Sequence, residues 1–275
     1  MSDKYYLSVL WRLSMGYKLD WGNPKTYNEK LQWLKLNDRN PLYTTLVDKY
    51  RVKQWVIDKI GEKYVIPTLG VYNSVDEIDL DVLPNEFVLK CNHDSRSVVL
   101  CIDKSTFDFE AAKNKLSNSL KHDFFLDGRE WPYKNVKRCI IAEKYMKDAG
   151  SDDLPDYKFF TFNGKVKALF IATERNNTSV ETCFDFYDAG FNHIDVINGH
   201  PNASSRPNKP KCFDEMISIA EVLSQGIPQV RCDLYEINGK VYFGEMTFFH
   251  WSGMTRFDPP SFDEEMGNWI SLPHN

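Results

Sequence analysis

The sequence predicts an α+β fold, and three observations carry that prediction. Helical spacing dominates the stretch before Lys63. After it the period shortens into strands rich in branched residues. Two Asn-Gly pairs each sit between alternating segments, the strongest short-range signal for a β-hairpin. Helices first, then antiparallel strands with one or two helices packed on them, is an α+β order.

The elements follow in sequence. Thr26 and Glu29 form a capping-box signature, and Leu31, Trp33, Leu34 and Leu36 continue it with mixed helical spacing. A second helix is expected after Asp48, with Val52, Trp55, Val56 and Ile60 on one face, Lys49, Arg51 and Lys53 on the other, and Gly61 as its stop. Tyr64–Ile66, Phe87–Lys90 and Val98–Ile102 read as short strands, and Phe107–Phe125 as an amphipathic helix. A strand at Cys139–Ala142 runs into Glu143-Lys144-Tyr145-Met146. Asp156–Phe162 turns at Asn163-Gly164 into Lys165–Thr173, and Val230–Ile237 turns at Asn238-Gly239 into Lys240–Phe249. Between the hairpins lie a strand at Glu181–Tyr187 and a helix from Asp214 to Gln225. That helix has Met216, Ile219, Ala220 and Leu223 on one face and Gly226 at its end.

Composition narrows the class. The chain has 275 residues, 42% hydrophobic and 27% charged, enough for one large domain or two small ones sharing a cleft. No run reaches the roughly 18 apolar residues of a membrane span. Met1–Leu10 lacks the apolar core of a signal peptide, so a cytoplasmic location is expected. On that expectation the sequon Asn176-Asn177-Thr178 needs no glycosylation. The six cysteines are scattered singly without metal or redox spacing and read as reduced, small core residues. A net charge of −5 argues against a nucleic-acid partner. Arg206, Lys209 and Lys211 lie in the Pro- and Asn-rich stretch Pro201–Lys211, a basic, mobile connector.

The last hairpin holds the densest chemistry. One strand reads Val230-Arg231-Cys232-Asp233-Leu234, the other Phe243-Gly244-Glu245-Met246-Thr247. Alternation puts Arg231 and Asp233 on one face and Glu245 and Thr247 on one face of the partner strand. A two-residue Asn-Gly loop pairs Cys232 with Glu245 and separates the carboxylates. A bulged three-residue loop ending at Gly239 brings Arg231, Asp233, Glu245 and Thr247 together. Magnesium between phosphates needs one or two carboxylates at about 2.1 Å, so a metal site requires the bulged loop. The alternative is a solvated hairpin with alternating charges.

Arg-x-Asp followed by Glu-x-Thr and Ser252-Gly253-Met254-Thr255 resembles the metal-binding hairpin of ATP-grasp ligases, with Thr247 where that superfamily has Asn. Thr26-Tyr27-Asn28-Glu29-Lys30-Leu31-Gln32-Trp33, Asp48-Lys49-Tyr50, Leu89-Lys90-x-Asn92-His93, Asp156-Tyr157-Lys158-Phe159 and Gly244-Glu245-x-Thr247-Phe248 together resemble the TupA-like ATP-grasp family. That family occurs in bacterial polysaccharide gene clusters and is named for a protein of teichuronopeptide synthesis. The resemblance runs from about residue 20 to the C-terminus.

It implies two antiparallel-sheet subdomains enclosing a nucleotide cleft, with ATP and Mg2+ as cofactors. The expected division is a helical segment 1–62, a small subdomain 63–146 and a C-terminal sheet subdomain 147–275. By resemblance, Lys90 grips phosphates, helped by Asn92 and Ser95. Glu143, Lys144, Tyr145 and Met146 form the adenine hinge, Asp156 takes the ribose, and Lys158 reaches a phosphate. Asp233, Glu245 and Thr247 hold the metal, and Arg231 faces the transferring γ-phosphate. His93, Arg96, Lys49, His250, Ser252 and Gly253 are candidates for the acceptor substrate.

One departure stands out. The family pattern after Lys90 is Asn-His-Gly-Ser-Gly, whose amides fold over phosphates. This chain has Asn92-His93-Asp94-Ser95-Arg96-Ser97, which puts an acidic side chain into a phosphate-facing loop. The expected activity is a carboxylate–amine ligase joining an amino acid or other amine to a uronic acid of a surface glycan or its precursor. Association with membrane-bound glycan-assembly enzymes is the further expectation for partners. A glycosyl- or phosphotransferase using a nucleotide-activated donor, and a degenerate binding protein, are the alternatives.

Overall fold

The computed structural model describes residues 1–149, 154–174 and 181–273. The sequon Asn176-Asn177-Thr178 lies outside the described residues. Helix α1 (Asp3–Met15) starts at Ser2, whose hydroxyl accepts from Tyr5 N, and buries Leu7, Trp11 and Met15 on one stripe. Helix α2 (Tyr27–Asn37) has the predicted capping box, Thr26 with Glu29. Helices α3 (Leu42–Val47) and α4 (Arg51–Ile60) follow, the latter burying Val52 and Val56.

The strand expected at Tyr64–Ile66 does not form. Glu62–Tyr64 is a single 3-10 turn, and Val65 makes only an isolated parallel bridge to Phe243. Pro67 explains the delay, because it has no N–H to enter a ladder. Its carbonyl instead accepts from Lys144 N at 3.0 Å, and pairing begins just after it. Strand β1 is therefore Thr68–Tyr72, followed by β2 (Phe87–Cys91), β3 (Val99–Cys101) and β4 (Ile140–Lys144). They form an antiparallel sheet in the order β1-β4-β2-β3. Helix α5 (Phe109–Lys121) covers one face over Phe87, Leu89, Cys91, Ile140 and Ala142. Alternation leaves Val88 and Lys90 on the other face. A short helix α6 (Phe125–Gly128) follows α5.

The second sheet has six strands, β5 (Asp156–Phe162), β6 (Lys165–Thr173), β7 (Cys183–Asp188), β8 (His193–Ile194), β9 (Val230–Ile237) and β10 (Lys240–Thr247). Their order is β10-β9-β5-β6-β7-β8, antiparallel throughout. Helix α7 (Phe213–Leu223) packs on this sheet through Met216, Ile219, Ala220 and Leu223. Helix α8 (Pro260–Trp269) packs against α2, where Asp263 accepts from the backbone and amide nitrogens of Asn28, both at 3.0 Å. All six cysteines are free. Among the described residues no helix is long and apolar enough to cross a membrane.

Candidate active site

The β9–β10 hairpin corrects the turn geometry expected from sequence. Ile237 pairs with Lys240, so the loop is only Asn238-Gly239, both at positive φ (52° and 71°), as a tight type I′ connection requires. The extra residue lies inside β10 instead. Phe243 pairs with Leu234 and Glu245 with Asp233, leaving Gly244 as a β-bulge. The bulge reverses parity, so Phe243 stays in the core while Glu245 faces the cleft opposite Asp233. A side chain is crowded there: a Cβ would come 3.0 Å from Asp233 O and 2.9 Å from the Tyr235 ring.

The same register extends across the sheet. Lys158 on β5 pairs with Asp233, so Glu245, Asp233 and Lys158 form one row, and Thr247 and Arg231 form the next. Arg231 grips Asp233 with two prongs, Nε to Oδ1 at 2.7 Å and Nη2 to Oδ2 at 2.8 Å. Nη2 also reaches Thr247 Oγ1 at 3.0 Å and lies 3.7 Å from Glu245. Lys158 donates to Asp233 and lies 2.6 Å from Asp156 Oδ2. Burial would favour neutral Arg231, but Asp233 and then Glu245 and Asp156 hold it protonated. Burial likewise works against the Glu245 carboxylate, yet Lys49, Lys158 and Arg231 outweigh it and keep its pKa well below the ordinary range.

His250 is buried against Arg231 in the wall of the same cleft. Its residue is 3% exposed, with Nδ1 2.7 Å from Arg231 Nη1 and Nε2 2.8 Å from Asn198 Oδ1. Asn198 Nδ2 donates to the carbonyls of Thr255 and Arg256, so Oδ1 must be the acceptor toward His250. Nε2 then carries the proton and Nδ1 accepts from Arg231, which requires a neutral imidazole. Burial, then Arg231 and Lys158, depress its pKa far below the ordinary histidine value. Sequence reasoning misses Asn198, because nothing local marks a side chain that reaches His250 from a loop 52 residues away.

The acid of the loop after Lys90 lies in the cleft wall, but its oxygens are engaged within the protein. Asp94 turns inward: Ser97 and Ser119 hydroxyls donate to its two oxygens, and Ser97 Oγ in turn accepts from Cys91 N. The acid therefore ties the loop down, while Ser95 and Arg96 are exposed on the cleft wall. His93 is buried, with Nε2 near the carbonyls of Ser119 and His122 and its pKa lowered chiefly by burial. Asn92 spends its side chain on Asp48 Oδ1, Lys137 O and Cys139 N, fixing the start of α4 beside the loop. That placement aims Lys49 across the cleft, 3.2 Å from Glu245 and 2.6 Å from Asp94 O.

Lys90 pairs with Glu143 at 2.6 Å, and so does Lys53 at 2.5 Å. Burial opposes the Glu143 carboxylate, but the two lysines hold its pKa down. The sequence pattern puts Lys53 on a solvated helix face, yet its ammonium is largely buried among Glu143, Ile66 O and Thr68 Oγ1. Lys144 and Met146 line a second cavity of about 690 Å³ with Ile66, Pro67 and Tyr242. Tyr145 is half-buried beside them. The larger cleft, about 990 Å³, is lined by Lys49, Lys158, Arg231, Glu245 and Thr247 and also by Trp251 and Ser252.

The turn that carries Ser252 and Gly253 is held from below. Lys35, 1% exposed, donates to Ser252 O and Oγ at 2.8 Å each, and Gln32 Nε2 donates to the carbonyls of Ser252 and Gly253 at 3.0 Å. Burial pulls the Lys35 pKa down to about 8 against the attraction of Glu130.

This chain matches the TupA-like ATPgrasp family over residues 29–271. A search of curated proteins returns no match. Among solved structures it is similar to D-alanine–D-alanine ligase from Helicobacter pylori, at 14% identity and TM-score 0.47, over 92% of this chain and 70% of that one. It is also similar to an L-amino acid ligase from Bacillus licheniformis, at 11% identity and TM-score 0.47, over 92% and 55% of the two chains. A RimK domain ATP-grasp protein from Sphaerobacter thermophilus aligns at 10% identity and TM-score 0.44, over 83% and 69%. This chain thus spans 55% to 70% of the lengths of those three. With the family match covering most of its length, the chain belongs to the TupA-like ATP-grasp family.

Proposed function

We propose that the chain is an Mg-ATP-dependent carboxylate–amine ligase. The observation that carries this reading is the row in which Glu245 and the buried Asp233 stand opposite each other, with Glu245, Arg231, Lys158 and Lys49 lining a 990 Å³ cleft. The triphosphate would run from the cavity at Lys144 and Met146, past Lys53 and Lys90, to Lys49 and Arg231. The adenine belongs against the hinge and Tyr242 in this reading.

The donor set fits magnesium. Glu245 and, on the adjacent strand, Asp233 carry hard oxygens, with Thr247 beside them. Both Asp233 oxygens already accept from Arg231, so an ion there would share Oδ1, which has one donor, rather than Oδ2, which has two. Among the described residues no cluster of three or more metal-ligating side chains makes a self-sufficient cage. An ion that arrives with phosphates needs only one or two carboxylates. When bound, magnesium would neutralise charge on the β- and γ-phosphates.

The protein's own residues then act by position and charge. Arg231, fixed by Asp233 on one side and His250 on the other, presents a permanently charged plane to the equatorial oxygens of the transferring phosphoryl group. Lys49 and Lys158 hold the phosphates while the substrate carboxylate attacks phosphorus, giving an acyl phosphate and ADP. An amine attacks the acyl carbon and phosphate leaves, giving the amide. His250 moves no proton, since both of its nitrogens are committed.

A uronic acid of a bacterial surface polysaccharide, or its precursor, is the proposed carboxylate, and its support is the polysaccharide context of the family. The inward turn of Asp94 favours a working nucleotide site over a degenerate one. The test is a hydroxylamine trap with Mg-ATP and candidate uronic acids. Hydroxamate and ADP should form together, and Glu245→Gln should abolish both while keeping the fold. ADP without hydroxamate from any acid tried, or full turnover in Glu245→Gln, would contradict the reading.

A further inference from the structure

The turn after β10 carries a feature that nucleotide binding leaves unused. Trp251 is 44% exposed, lines the large cleft, and follows directly after the histidine that holds Arg231. Its backbone is left-handed, φ 49° and ψ 29°, and Ser252 is left-handed as well, φ 55° and ψ 17°. A bulky side chain keeps that conformation only where its surroundings over-determine it. Here the buried amine of Lys35 and the amide of Gln32 do so by holding the Ser252 and Gly253 carbonyls from below.

The indole is braced as well. A Cβ on Gly199 would lie 3.1 Å from Cε2, Cζ2 and Nε1 of the ring, so the ring rests on bare backbone. The His200 and Phe184 rings flank it, with centroids 5.9 and 6.3 Å away. The result is a rigid, flat, apolar surface inside a cleft whose walls also carry Ser14, Asn118, Thr182 and His122. A pyranose has the matching shape, an apolar C–H face with hydroxyls around its rim. An acyclic polyhydroxy acid has the same hydroxyls and no face to stack.

Resting on the ligase reading above, we infer that Trp251 is the stacking platform for the sugar ring of a pyranose acid whose carboxylate points toward Arg231. The platform selects ring acids over linear acids of like composition. Lys49 and Arg231 supply the positive charge at the carboxylate end.

The test uses the full-length protein loaded with Mg-ADP and calorimetric titration with three probes, the methyl glycosides of D-glucuronic and D-galacturonic acid and the acyclic acid D-gluconate. At least one glycoside should bind ten-fold or more tightly than gluconate. Trp251→Ala should erase that preference without changing Mg-ADP affinity, and Trp251→Phe, which keeps a ring, should retain part of it. Binding of neither glycoside, or an undiminished preference in Trp251→Ala, overturns the platform while leaving the nucleotide site standing. Failure of the wild-type protein to bind Mg-ADP overturns the ligase reading and the platform with it.

Discussion

Removing Gly244 should be gentler than adding one carbon to it. The bulge leaves Phe243 paired with Leu234 and Glu245 with Asp233, so deleting the residue between them preserves both pairs and both faces. Phe243 stays in the core at 4% exposure, and Glu245 stays in the cleft. Gly244→Ala instead drives a methyl to 3.0 Å from Asp233 O, a backbone atom that cannot step aside. Expelling the bulge is no escape, because it would place the Glu245 carboxylate opposite the fully buried Cys232, at a cost of several kcal/mol. The methyl must be absorbed as strain, about 1–3 kcal/mol. In a protein of this size that is a melting-temperature loss of roughly 2–5 °C. The assay is thermal unfolding with and without Mg-ADP. The deletion should keep ligand-induced stabilisation, and Gly244→Ala should lose both stability and much of the ligand response. A deletion variant that folds yet responds to Mg-ADP no better than Glu245→Gln would refute the parity reasoning. So would an alanine variant as stable as wild type.

Two further outcomes follow from groups away from the hairpin. His250→Gln should stay active, since an amide can accept from Arg231 and donate to Asn198 at once. His250→Leu leaves a buried guanidinium nitrogen unpaired and should cost about 1–3 kcal/mol together with turnover. Equal inactivity of the two variants would mean that the imidazole itself does chemistry. Asp263 is pushed up to about 6, mainly by burial and despite the donors of Asn28. Its folded pKa exceeds its unfolded value, so the native state favours the protonated acid, and stability falls as pH rises from about 4 to 6. The loss is about 3 kcal/mol, read as the difference between wild-type and Asp263→Asn urea midpoints across that window. Parallel pH profiles for the two proteins would rule it out.

The parts legible in the sequence are those written into local pattern. Asn163-Gly164 and Asn238-Gly239 announce both hairpins, and Thr26 with Glu29 announces α2, because turn and cap chemistry act within a few residues. The bulge sits in the strand and not in the turn, and a glycine at either 239 or 244 restores the same parity, so the sequence does not rank them. Strand β1 escapes sequence reasoning because Thr68–Tyr72 is short, half exposed and interrupted by a glycine. Side-chain direction is the hardest to foresee. Asp94 looks like an intruder among phosphates, and only the positions of Ser97 and Ser119, the latter 25 residues away, turn it inward. Lys53 looks solvated until Glu143 arrives from another element of the fold.

The pairing of Lys49 with Glu245 and of Lys53 and Lys90 with Glu143 has a consequence for how an anion would enter. A basic groove usually sheds small ions when a polyanion enters, which makes its affinity fall steeply with salt. Here the anions to be displaced are side chains tethered to the protein, whose local concentration no buffer changes. On the proposed ligase reading, entry of a triphosphate would be an exchange between fixed and incoming anions, only weakly sensitive to ionic strength. In that same reading, the exchange that seats phosphates on Lys49 would also free the Glu245 carboxylate, unmasking a metal ligand as the cargo arrives.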